Sequence, residues 1–155
     1  LLAVGFLVYF WKQGNNSYTI RGIQVKHLLT GETRTVWQLH FTAWPDHGVP
    51  NDTGIMLAFI DEIRSVRAKL MPPGPQAPWP MVVHCSAGIG RTGVVMALEI
   101  GLAQLEAGEL VNMKAIMSDL RDQRAGCIQK DVQFEFTYAT LIKAMENSEL
   151  VTSHA

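Results

Sequence analysis

The sequence predicts an α+β fold: a mixed, largely antiparallel sheet flanked by helices, with a cysteine loop set between a strand and a helix. Three observations carry this prediction. In the first third, Thr35, Trp37, Leu39 and Phe41 alternate with Arg34, Val36, Gln38 and His40, the period of two that a one-sided strand requires. Farther on, Ile55, Phe59, Ile60, Ile63, Val66 and Leu70 recur at helical spacing. Strands therefore cluster early and helices late, as in folds whose sheet and helices are segregated.

The composition agrees with a compact chain. The 155 residues fit one domain over 1–155. With 48% hydrophobic and 17% charged residues, the chain is neither disordered nor a solvated helical rod. The formal charge is −1, with seven basic and five acidic residues in 1–80 and six and nine in 81–155. A nucleic-acid surface is ordinarily more basic, so no nucleic-acid partner is expected. Any anion site must be built from a few aimed groups. Cys85 and Cys127 are too few for the disulfide framework of a small secreted domain.

The elements follow in order. The apolar run 1–11, broken only by Gly5, predicts a buried strand favoured by Val4, Phe6, Val8, Tyr9 and Phe10. It falls short of the ~20 residues that span a bilayer, and it has no signal-peptide leader or cleavage site. Because the chain opens inside apolar sequence, without Met or a cap, it is expected to be truncated at the N-terminus. Residues 17–27 predict the antiparallel partner of the alternating strand, with a turn at 29–32. Asn51, Asp52 and Thr53 are helix starters. Residues 71–80 hold five prolines and form an exposed connector. Met81-Val82-Val83-His84 predicts a short buried strand, followed by a Gly-rich turn and a helix over about 92–107. Two more helices fit about 112–124 and 131–147, with Phe134, Tyr138, Leu141 and Ile142 on one face of the second.

The chemistry concentrates at residues 83–93, Val-His-Cys-Ser-Ala-Gly-Ile-Gly-Arg-Thr-Gly. A cysteine ends a strand, five residues follow, and an arginine opens a helix. A loop of Ser86, Ala87, Gly88, Ile89 and Gly90 can turn successive N–H groups inward as an anion cradle. The helix start directs its dipole at the same point, and Arg91 supplies a planar donor pair matched to phosphate. The field that suits a tetrahedral dianion also favours the Cys85 thiolate, below the ordinary cysteine value of ~8.5. Thiol attack on phosphorus needs an acid for the departing oxygen. Asp46, in Trp44-Pro45-Asp46-His47-Gly48-Val49-Pro50, sits on a loop that can close over substrate and exclude water.

Trp-Pro-Asp at 44–46 together with His-Cys-x5-Arg-Thr-Gly at 84–93 resembles the phosphotyrosine-specific protein tyrosine phosphatases. Gln129 and Gln133, after Gln123-Arg124, resemble that family's glutamine loop, and the similarity runs over about 18–150. Arg34-Thr35-Val36-Trp37-Gln38 is most similar to the cytoplasmic SH2-containing members. The resemblance implies that Cys85 is a phosphocysteine nucleophile, Arg91 the phosphate clamp, Asp46 the general acid and later base, and Gln129 the residue that positions the hydrolytic water. It implies that Thr92 hydrogen-bonds the Cys85 thiolate, that His84 holds the loop, and that Trp44 and Gln133 support the site. His84, Gln129 and Gln133 also fit plain polar or capping roles. The implied partners are phosphotyrosine-containing proteins, the implied compartment is the cytoplasm, and neither cofactor nor metal is expected.

Two residues depart from the pattern: Lys130 stands where threonine is usual, and Phe134 where tyrosine is common. Nothing before Tyr18 matches the upstream tyrosine that grips a substrate ring. The chain is therefore expected to be a partial domain, weakly active and aggregation-prone by itself. A catalytically impaired or vestigial phosphotyrosine-binding domain is the alternative. A dual-specificity phosphatase fits less well because of the Trp-Pro-Asp and Gln129 segments, and a rhodanese-like sulfur transferase has no counterpart to Asp46.

Overall fold

The computed structural model describes residues 10–71 and 80–152, so most of the strand expected at 1–11 lies outside the described residues. The chain divides into two compact units after Trp44.

The first unit is an antiparallel three-stranded sheet in the order β1 (Phe10–Gly14), β2 (Tyr18–Lys26), β3 (Thr33–Phe41). The tight link from β1 to β2 depends on Gly14, where a β-carbon would lie 2.3 Å from the Tyr18 carbonyl oxygen. Asn15 closes that link, its side-chain oxygen accepting from the Ser17 and Tyr18 N–H groups at 2.8 and 3.1 Å. β2 and β3 pair from Tyr18 opposite Phe41 to Lys26 opposite Thr33, as the alternation predicts. The expected turn is present, with Gly31 at φ 73° donating its N–H to the His27 carbonyl at 2.8 Å. On the predicted inward face, Trp37, Leu39 and Phe41 are half-buried and Thr35 is exposed, whereas Ile20, opposite Leu39, is buried.

The second unit is helical. α1 (Thr53–Leu70) is capped by Asp52, whose carboxylate accepts from the Gly54 N–H at 2.7 Å. It buries Met56, Phe59, Ile60 and Ile63, one face at helical spacing. α2 (Gly90–Glu106) is the core helix of this unit, with buried residues from Gly90 to Leu102. α3 (Met113–Gln123) is capped by Asn112, which accepts from the Ala115 N–H at 3.1 Å. α4 (Asp131–Thr152) runs five residues past the expected end at 147. Its Leu141 side chain packs against α2 at Gly101, where a β-carbon would meet Cδ1 at 2.8 Å. Arg64 on α1 pairs with Glu99 at 3.3 Å and with Glu106, both on α2.

Two expectations are corrected. Residues 81–84 form no strand ladder among the described residues, and Val82 is 85% exposed. A strand exists only through a neighbour's N–H and C=O groups. Without one, Met81 and Val83 line an open groove of about 300 Å³ over Val95, Met96 and Ile100 of α2. On α4, Tyr138 and Ile142 are exposed, and the buried face is Gln133, Phe136, Thr137, Thr140 and Leu141. Thr137 and Thr140 are tolerated there because their hydroxyls donate to the Gln133 and Phe136 carbonyls, both at 2.7 Å. No helix among the described residues is long and apolar enough to cross a membrane.

Candidate active site

The loop from Cys85 to Ile89 leads directly into α2, which starts at Gly90, two residues before the expected start. Four donors converge on the Cys85 sulfur. Burial by itself raises this thiol, but the donors around it, the Thr92 hydroxyl and N–H first and then the Gly88 and Ile89 N–H groups, lower it from 9.0 to about 7. The Gly88 N–H lies 3.2 Å from Sγ. The Thr92 hydroxyl is buried and closes no hydrogen bond, to the sulfur or to any other atom, so it acts on the thiol as a nearby donor dipole.

The orientation of those loop N–H groups has a visible cause. Arg124, just past α3, donates from Nε to the Gly88 carbonyl at 2.9 Å and from Nη2 to the Ala87 carbonyl at 3.2 Å. In a trans peptide the N–H points opposite to the C=O. Drawing the Ala87 and Gly88 oxygens toward Arg124 therefore turns the Gly88 and Ile89 N–H groups toward the sulfur. Gly88 accommodates this at φ 69°, with the Arg124 Nη2 lying 3.3 Å from where a β-carbon would stand.

A second layer ties this loop to the glutamine segment. The Ile89 carbonyl accepts from both the Gly93 and Ile128 N–H groups at 3.1 Å. Gly93 permits no side chain, because a β-carbon there would lie 2.5 Å from the Ile128 nitrogen. Ile128 is buried at φ 55°, a strained conformation for a β-branched residue. Arg121 holds it, donating to the Cys127 and Ile128 carbonyls at 2.9 Å each. Gln133 is buried and caps the start of α4, its Oε1 accepting from the Gln129 and Lys130 N–H groups at 3.0 and 3.2 Å. Its Nε2 would lie 2.9 Å from a β-carbon on Gly90.

The remaining candidates are placed as follows. Arg91 is exposed and donates from Nη2 to the Pro45 carbonyl at 3.0 Å, which holds the residue next to Asp46 beside the helix start. Ser86, Ala87, Asp46 and the Gln129 side chain are exposed. Trp44 is buried, at 9% exposure. His84 is exposed and is not among the groups that lower the Cys85 thiol. Cys127 is buried and, like Cys85, free. The sequence reading uses Arg124 only as a landmark and does not single out Arg121. The available signal was a pair of arginines three apart at a helix end, followed by Gly126, which puts two guanidinium groups on one side of a turn.

A family model described as protein-tyrosine phosphatase matches residues 5–143. The chain is 41% identical over 143 residues to rat tyrosine-protein phosphatase non-receptor type 21, covering 91% of this chain and 12% of that protein. It is 43% identical over 137 residues to human tyrosine-protein phosphatase non-receptor type 14, covering 86% of this chain and 12% of that protein. The mouse non-receptor type 2 enzyme is 37% identical over 140 residues, covering 90% of this chain and 33% of its own length. The chain thus spans only a fraction of the relatives it matches.

Proposed function

The chain belongs to the protein-tyrosine phosphatase family, and from that premise we propose that its site hydrolyses phosphotyrosine in proteins through a phosphocysteine intermediate. The observation that carries this is the Cys85 loop at the start of α2, whose Gly88 N–H lies 3.2 Å from the sulfur and whose carbonyls are held by Arg124, surroundings that lower the thiol to about 7. A thiol poised near neutral pH is a substantial fraction thiolate and an effective nucleophile.

In the first step the Cys85 sulfur attacks phosphorus and the bond to the tyrosine oxygen breaks. Asp46 protonates that oxygen as it leaves. Arg91 and the N–H groups of residues 86–91 hold the non-bridging phosphate oxygens, whose charge spreads during transfer. In the second step a water placed by Gln129 attacks the phosphocysteine, Asp46 takes its proton, and phosphate and the thiolate are regenerated. The donors that acidify Cys85, Thr92 among them, also make it a good leaving group. The bond from Arg91 to the Pro45 carbonyl supports a link between the phosphate clamp and the acid-bearing segment.

Hydrolysis of a small aryl phosphate by this chain, by Cys85→Ser and by an upstream-extended chain tests the reading. Turnover that vanishes in Cys85→Ser with binding at the phosphate site largely kept, and competitive inhibition of the wild type by vanadate, are the expected results. Steady hydrolysis by Cys85→Ser would overturn it.

A further inference from the structure

Lys130 stands where a cation does nothing for the fold. It immediately precedes α4, at the positive end of the helix dipole, where carboxylates are favoured and ammonium groups are not. Among the described residues its side chain has no carboxylate partner. Asp131 follows directly, but side chains one residue apart do not face each other at a helix start. Lys130 is also exposed, so its stem buries little.

Yet the residue is firmly placed. Its N–H donates to Gln133 Oε1 at 3.2 Å, beside the Gln129 N–H at 3.0 Å. The same carboxamide lies against Gly90 of the cysteine loop. A flexible, strongly hydrated cation thus springs from a fixed point on the rim of the cradle. The neighbouring guanidinium groups are already engaged, Arg124 with the Ala87 and Gly88 carbonyls and Arg91 with Pro45. Lys130 is, by contrast, a nearby cation whose side chain has no hydrogen bond or ion pair among the described residues.

We propose that Lys130 is a specificity-determining residue that pairs with a carboxylate flanking the phosphotyrosine of a substrate peptide. The assignment rests on the phosphotyrosine reading above. The pair is solvent-exposed, so its effect is modest and salt-dependent.

The test compares two phosphotyrosine peptides, one with Asp and Glu flanking the phosphotyrosine and one with Ser and Gln in their place. For each of wild type, Lys130→Thr and Lys130→Glu, the ratio of kcat/KM on the two peptides is measured, so that any general loss of folding or chemistry cancels. The expected wild-type preference for the acidic peptide is about two- to fivefold at low salt. It should fall to about one in Lys130→Thr, reverse in Lys130→Glu, and shrink in wild type at high salt. A flat wild-type ratio, or one that both substitutions leave unchanged, overturns the proposal.

The dissociation constants of the same peptides for Cys85→Ser and for Cys85→Ser/Lys130→Glu separate this proposal from the reaction itself. No turnover by wild type with the affinity ratio shifting as expected would overturn the hydrolysis reading and uphold Lys130. Binding of neither peptide would overturn both.

Discussion

Replacing Arg124 with alanine should raise the pKa of a cysteine it never touches. Its guanidinium fixes the Ala87 and Gly88 carbonyls, and through those two peptides it aims two of the four donors that bring Cys85 from 9.0 to about 7. A hydrogen bond to a charged group is worth ~1.5–3 kcal/mol and one pKa unit is about 1.36 kcal/mol. Partial loss of aim at two donors should therefore raise the thiol by roughly one unit. At pH 6 the thiolate fraction then falls from about a tenth to about a hundredth, a tenfold loss of kcat/KM that closes by about pH 9. The assay is the pH profile of iodoacetamide alkylation at Cys85, with Cys85→Ser as the blank. Arg124→Lys separates two causes, because it keeps the charge and loses the two-pronged grip. A midpoint that stays near 7 in Arg124→Ala would refute the peptide-orientation argument. A midpoint rescued in full by lysine would show that charge, and not aim, lowers the thiol.

Asp46→Ala should lower kcat by ~10²–10⁴ on a phosphotyrosine peptide and less on an activated aryl phosphate, whose leaving group departs with little protonation. Equal losses on both would remove Asp46 from the acid role. Gly93→Ala places a β-carbon against the Cys127–Ile128 backbone and should destabilise the chain by about 1–3 kcal/mol. A thermal melt unchanged from wild type would contradict that close approach. Because the folded state lowers Cys85 from 9.0 to about 7, the thiolate's contribution to stability is full above 9 and lost as pH falls through 7. The melting-temperature gap between wild type and Cys85→Ser should therefore open in favour of wild type from pH 6.5 to 9, and a gap that closes over that range would reverse the assigned sign.

The β2–β3 hairpin was legible because its signals are local: alternation over eight residues and a glycine turn. The cap Asp52 was legible for the same reason, since it acts within two residues of itself. The segment 81–84 was not, because an apolar run reports burial only when something pairs with it. The buried face of α4 was misjudged because apolar residues occur on both sides of that helix, and the two threonines facing inward look polar until their hydroxyls are seen returning to the backbone. The cysteine loop was legible as a pattern of glycines and arginine. The residues behind it, Arg124 and Arg121, were hidden because Arg124 acts on carbonyls 36 and 37 positions back and Arg121 on strained backbone six and seven residues on, and neither relation leaves a spacing to count.

The clamp from Arg124 to the loop bears on how the chain is made. Synthesis proceeds from Cys85 toward Arg124, and the arginine follows the loop carbonyls it holds by 36 and 37 positions. Until α3 has formed and its end has docked, the Gly88 and Ile89 N–H groups have nothing to aim them. The emerging cysteine is a common, sluggish thiol, mostly protonated and slow toward electrophiles and oxidants. Reactivity is completed only once a segment made 36 positions later has docked, so a copy unfinished or misfolded there carries a cysteine with little capacity for stray chemistry.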